Sequence, residues 1–264
     1  MWRLFKLFNW TAYLNGLLAM LSFGLVGWLI SLPRKNVTHV DSMWSLFFIL
    51  AVLTYLHPVP EINDRAYLIL SLVIVWASRL SIYLTWRNWG PHEDHRYQEI
   101  RKNNEPHFWL KSLYIIFGLQ SLLAWIISLP LLAITVSAQP LNWLDMPGVC
   151  LWLFGFLWET ISDWQLMHFK ANPVNKGAVM NMGLWRYSRH PNYFGEFCLW
   201  WGYYLIAVAA GAWWTLPAPL LMTLLLLKVS GVALLEKDIG ERRPAYAEYM
   251  ARTNAFIPGF PKSK

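Results

Sequence analysis

Long apolar runs alternate along this chain with short polar connections rich in Lys and Arg, and that rhythm sets the elements it predicts. About 20 mostly apolar residues let a helix cross a bilayer. By that length the pattern predicts seven helices, near 8–32, 43–58, 66–86, 110–135, 147–169, 194–212 and 214–236. The second run is short and stops at "HPVP", which predicts a tilted or partly buried helix. The fourth contains Pro130. A proline removes an N–H and crowds the preceding turn, so a kink or early end is expected there. The first run follows a basic start and lacks a small-residue cleavage pattern, so it reads as a retained helix. The expected fold class is all-α: an integral membrane protein of about seven transmembrane helices, forming a single helical membrane domain over residues 1–264. No internal repeat, low-complexity tract or soluble module breaks it.

Composition strengthens this reading. The chain is 56% hydrophobic and 14% charged, against roughly 45–50% apolar residues in soluble domains. Its 18 Trp gather toward the ends of the apolar runs, where indole rings suit the headgroup region. Charge then sets orientation. Of 22 Lys and Arg, sixteen fall in the loops near 33–42, 87–109 and 170–193 and in the tail after 236. Basic residues stay on the cytoplasmic side. The N-terminus is therefore expected outside and the C-terminus in the cytoplasm, with any active site opening to the cytoplasm. The net charge of +7 then needs no nucleic-acid partner. A basic cytoplasmic face serves topology, anionic membrane lipid or an anionic cofactor.

Several chemistries are not expected. Cys150 and Cys198 sit in apolar runs, form no CxxC pair and read as small fillers. The seven His are scattered without ligand spacing, so no metal is expected. Phosphate-loop, dinucleotide-fold and GxSxG patterns are missing.

The candidate chemistry lies near the cytoplasmic ends. In "LWETISDWQLMHFK", Glu159 and Asp163 are four residues apart on one helix face, with Lys170 two turns further on. Acids inside a span are costly and are usually paired or functional. They either lock this helix to a neighbour or serve a site. "LWRYSRHPNYFGEFCLWWGYYL" brings donors. Pro191 suits the first turn of the sixth helix. Asn192, Tyr193 and Glu196 follow it, and Arg186, Tyr187, Arg189 and His190 precede it. A helix N-terminus beside such groups suits a phosphate or carboxylate, although Arg and Tyr also anchor to headgroups. In the tail, Glu236, Arg242, Arg243, Tyr246 and Tyr249 either cover the same pocket or form a surface helix. The loop "RNWGPHEDHRYQEIRKNN", with Asp94, Arg96 and Tyr97, reads by default as a solvated face.

"GLWRYSRHPNYFGE", with "FIPGFP" closing the chain, resembles the bacterial branch of the steroid 5α-reductase-like membrane proteins. The resemblance is strong over about 155–260, the stretch expected to contribute most of a cofactor site. It implies a seven-helix enzyme that uses NADPH to saturate a double bond conjugated to a ketone, such as the C4=C5 bond of a 3-oxo-Δ4-steroid or a similar lipophilic enone. It further implies that Asp163, Lys170, Asn192 and Glu196 bind NADPH. Arg186, Tyr187, Arg189, His190 and Tyr193 would surround it, and Arg243, Tyr246 and Tyr249 would close over it. A basic collar suits a cofactor bearing phosphates. A donor must also polarise the ketone oxygen. Animal enzymes of the family use a Glu on the second helix and a Tyr on the third. Here the second run has no Glu, and Trp76 falls where that Tyr would lie. Asp41, Tyr83 and Tyr97 are the candidate catalytic donors.

Two other readings stay open. Isoprenylcysteine and phospholipid methyltransferases share the RHP-x-Y-x-G run but bind S-adenosylmethionine. Asp163, Lys170 and the step from Asp163 to Asn192 favour the reductase. A transporter would spread polar groups through the membrane midplane, whereas here they gather near one side, Arg79 and Glu159 excepted.

Overall fold

The structure is a computed structural model that describes residues 8–229, 231–232, 236 and 244–262. Arg242 and Arg243, expected in the tail cluster, lie outside the described residues. Within those residues the chain is all helical, with no strand. Each predicted apolar run coincides with a helix. We label these α1 (Trp10–Arg34), α2 (Val40–Leu56), α3 (Asp64–Arg87), α4 (His95–Asn104), α5 (Phe108–Ile127) and α6 (Leu129–Thr135). After them come α7 (Asp145–Ala171), α8 (Pro191–Ala209), α9 (Trp213–Val229) and α10 (Pro244–Arg252). Three of them, α1, α3 and α5, are long and apolar enough to cross a membrane, and α2 and α9 are shorter apolar helices. The predicted break in the fourth run occurs at Ser128, and Pro130 lies in the first turn of α6, where its missing N–H has no partner to lose.

The helices form two compact units, Met1–Leu141 and Asn142–Lys264. In the first unit, α2 packs against α1, α3, α5 and α6. Phe47, Phe48, Ala51, Val52 and Tyr55 of α2 are fully buried. A helix apolar on most of its faces belongs inside a bundle. Side-chain caps start the neighbouring helices: Asn9 Oδ1 accepts from Ala12 N and Asn63 Oδ1 from Ala66 N, both at 2.9 Å.

In the second unit the most extensive packing is between α7 and α8. Gly148 and Gly155 of α7 face Gly202 and Gly195 of α8, each pair in backbone contact. A methyl group at Gly155 would stand 2.5 Å from both Gly195 O and Leu199 N. Small residues at matched positions let two helix backbones touch, the packing favoured between apolar helices. The glycines thereby fix the spacing of the polar residues one or two turns beyond them.

Candidate functional site

The first unit gathers the three expected donors in one network. Asp41 begins α2 and faces the end of α3 and the start of α4. Tyr97 donates its hydroxyl to Asp41 Oδ1 at 2.6 Å, and Arg96 Nη2 donates to Oδ2 at 2.6 Å. Arg87 Nη2 stands 3.7 Å from the same carboxylate, and its guanidinium lies 6.0 Å from the Tyr83 ring centre. Asp94 caps α4 by accepting from Arg96 N at 2.9 Å and also accepts from Arg96 Nε at 2.9 Å. Gln120 Nε2 donates to the Tyr97 oxygen at 3.3 Å.

This corrects the expectation of a solvated face for the loop around 87–104. Tyr97 is 6% exposed. Glu93 is held by Arg101 Nε and Nη2, each at 2.8 Å, and by Val37 N at 3.0 Å. The loop is highly charged, and Glu93, Asp94, Arg96 and Arg101 turn to partners within the unit, while Glu99 and Lys102 stay exposed. Roles within the trio also separate. Asp41 accepts from both Tyr97 and Arg96, so it acts as a carboxylate, and Tyr97 carries the proton. Burial, and then the Asp41 charge beside it, push the Tyr97 phenol well above its ordinary value.

The second unit gathers the residues expected around a cofactor. Glu159 and Asp163 are both buried on α7, on the face the spacing predicts. Pro191 is the first residue of α8, as expected. Asn192 in its first turn donates from Nδ2 to Asp163 Oδ1 at 3.4 Å. Glu196 follows one turn later and is buried. The His190 ring stacks on Tyr193, with centres 5.7 Å apart. Lys170, at the end of α7, and Arg186 are exposed, while Tyr187 is half-buried with its ring edge-on to Phe260 at 6.0 Å.

Arg189 has internal partners. Its Nε and Nη2 donate to the two Glu236 oxygens, each at 2.7 Å, and Nη1 donates to Met250 O at 3.0 Å and Thr253 O at 2.5 Å. Four of its five N–H groups are thus engaged. His190 Nε2 donates to Glu236 Oε1 at 2.8 Å. Burial alone would raise the Glu236 carboxyl, but these two donors overrule it and hold it down at about 2.

Backbone bonds extend the clasp: Arg189 N to Asn254 O and Gly259 N to Tyr187 O, both at 2.9 Å. Ser188 Oγ donates to Phe256 O at 2.8 Å, and Tyr249 donates its hydroxyl to Trp185 O and Ser188 O. Tyr246 and Tyr249 of α10 are buried, with ring centres 5.3 Å apart. The tail is therefore stitched along 185–190. The sequence reading named the Arg, His, Tyr and Glu of this clasp. It missed Ser188, Thr253 and Asn254, whose only signal was a Ser inside the motif and two small polar residues before "FIPGFP".

Two exposed cations flank this segment, Lys170 and Arg186, with Asn192 at the helix N-terminus. Cations and a helix N-terminus suit an anionic, phosphate-bearing ligand. Among the described residues no cluster of three or more potential metal ligands occurs.

Residues 27–253 match the model of a family described as a protein of unknown function, DUF1295. An uncharacterized protein of Schizosaccharomyces pombe, C594.04c, is 26% identical over 288 residues, covering 95% of this chain and 81% of that protein. No solved structure matches.

Proposed function

The chain belongs to the DUF1295 family, and we propose that it is an NADPH-dependent membrane reductase that saturates the double bond of a lipophilic enone, such as a 3-oxo-Δ4-steroid. The observation that carries this reading is the contact of Asp163 with Asn192 across the closely packed α7 and α8, at a helix N-terminus, with the exposed Lys170 seven residues further along α7 and the exposed Arg186 six residues before Asn192. In this reading the seven apolar helices cross the membrane, with the basic loops toward the cytoplasm.

When bound, NADPH supplies the hydride that reaches the β-carbon of the enone. The chain's own residues do the rest. Lys170 and Arg186 take the phosphates. Asn192, oriented by Asp163, and Glu196 hydrogen-bond the cofactor, and Tyr193 offers a ring face braced by His190. Arg189 and Tyr249 act one step back: they hold the tail in place over the motif, with Tyr246 packed beside them. In the first unit, Tyr97 is the group suited to donate to a ketone oxygen. Its proton is retained at neutral pH and goes to Asp41 in the resting chain, so a ketone oxygen must take the place of Asp41 as its acceptor, while Arg96 balances the Asp41 charge.

The test is NADPH binding and oxidation by the detergent-purified protein with progesterone added, and S-adenosylmethionine as the parallel ligand. Steroid-dependent NADPH oxidation that is lost in Asn192→Ala and Asp163→Ala is the expected result. Affinity for S-adenosylmethionine with none for NADPH would refute the reductase and favour a membrane methyltransferase.

A further inference from the structure

Where α1 ends and α2 begins, the first unit holds a cleft of about 100 Å³. Arg34, Asn36, Thr38, Ser42, Asn88 and Trp89 line it, and none of its lining residues is acidic. Three donors there are uncommitted among the described residues, while Asn88, His39 and Thr85 already have partners. The exposed Arg34 guanidinium has no ion-pair partner among the described residues. Asn36 is 9% exposed; its Oδ1 accepts from Thr38 N at 2.9 Å, so its two Nδ2–H groups remain to be used. Thr38 Oγ1 accepts from Asp94 N at 2.9 Å and keeps its own proton to give. The carboxylates nearby are paired: Asp41 and Asp94 share Arg96, and Glu93 holds Arg101.

A buried amide, hydroxyls and a guanidinium around an acid-free cleft form a receptor for a tetrahedral oxyanion. Size and place narrow the ligand. Sites for whole small molecules run from roughly 300 Å³ upward, so this cleft takes a single polar group whose remainder stays outside. It opens where α1 and α3 end, beside Trp86 and Trp89, exposed at 57% and 83%. Exposed indoles at the ends of apolar helices mark headgroup depth. We propose that this cleft binds the headgroup phosphate of an anionic membrane phospholipid, with the acyl chains lying along the apolar helices. The site does not depend on the reductase reading.

The experiment uses the full chain in detergent, short-chain dioctanoyl-phosphatidylglycerol as probe, and the unfolding midpoint as readout. Inorganic phosphate is the soluble arm. The lipid should raise the midpoint saturably. Its half-saturating concentration should rise about tenfold, the worth of one charge-assisted hydrogen bond, in Arg34→Gln and in Asn36→Asp. It should stay unchanged in Lys102→Gln, which removes an exposed charge on α4. Should Asn36→Asp not fold, the exposed Arg34→Gln carries the comparison alone. Equal lipid effects in all variants, or no saturable effect in the native chain, would overturn the proposal. So would equal stabilisation by inorganic phosphate through Arg34, which would make the ligand a soluble anion.

Discussion

Adding one methyl group at Gly195 should damage both the packing of α7 against α8 and the polar contact beside it. A Cβ at this position would lie 2.6 Å from Glu159 N and 2.7 Å from Gly155 O, where ordinary contact begins at 3.4 Å. The obstacles are backbone atoms, so no side chain can rotate away. The helices must separate by about 0.8 Å at this level, the shortfall of 2.6 Å against 3.4 Å. Overpacking of this kind costs about 1–3 kcal/mol, which corresponds to roughly 2–12 °C in unfolding midpoint for a protein of this size.

Asn192 lies three residues before Gly195, and its contact with Asp163 is already long at 3.4 Å. Any widening of the helix pair breaks it. In Gly195→Ala the midpoint should fall and NADPH affinity should fall with it. Gly155→Ala meets the same contact from the opposite side. Once one methyl has spread the helices, the second meets less resistance, so the double variant should lose less than the sum of the singles. Midpoints of the four proteins in one detergent decide this. Strictly additive losses, or singles indistinguishable from the native chain, would refute backbone contact between the two helices.

The clasp and the buried tyrosine give further predictions. Glu236 is held at about 2 in the folded chain, below its unfolded value of about 4.5. Its contribution is therefore complete above pH 4.5 and is lost as pH falls toward 2. Glu236→Gln should lower the midpoint at pH 6, at a cost of about 3 kcal/mol for leaving Arg189 without its buried partner. The gap to the native chain should narrow at pH 3, and a gap independent of pH would contradict the ion pair. Tyr97 behaves in the opposite sense, since its folded value is raised. Its contribution is complete below about 10, the ordinary phenol value, and declines as pH rises beyond it. Tyr97→Phe should lack that alkaline loss between pH 9 and 11. On the reductase reading it should also lower kcat about 10²–10⁴-fold, as for loss of a general acid, with NADPH affinity unchanged. A matching fall in NADPH affinity would move Tyr97 out of the donor role.

Much of the fold was legible because bilayer-length apolar runs leave a strong mark on a sequence. Among the described residues each predicted run holds helix, the fourth as two helices, and Pro191 and Pro130 each sit in a first turn, where proline is tolerated. The pairing of Asp163 with the start of α8 was legible too, through acids within an apolar run facing a donor-rich helix start. The loop around 87–104 was not. Its charges have no period and read as solvated, yet Asp41 lies 55 residues from Arg96 and 56 from Tyr97. No local window contains both halves of that contact.

The same physics divides the candidate residues into two kinds, a division the motif "RYSRHPNY" conceals. Arg186 and Arg189 are three residues apart and look equivalent in sequence. Arg186 is exposed, whereas Arg189 is buried with Glu236 and two carbonyls at its guanidinium. A buried guanidinium that finds a carboxylate and carbonyls gains by staying there, because any outside ligand must first break those bonds. Arg189 is thus a residue that shapes the site, and Arg186 is one that can reach a ligand. Their substitutions should separate accordingly. Arg189→Gln should act through stability and tail position, with loss of the acid-dependent contribution of Glu236. Arg186→Gln should leave the unfolding midpoint unchanged and weaken only the binding of a phosphate-bearing ligand.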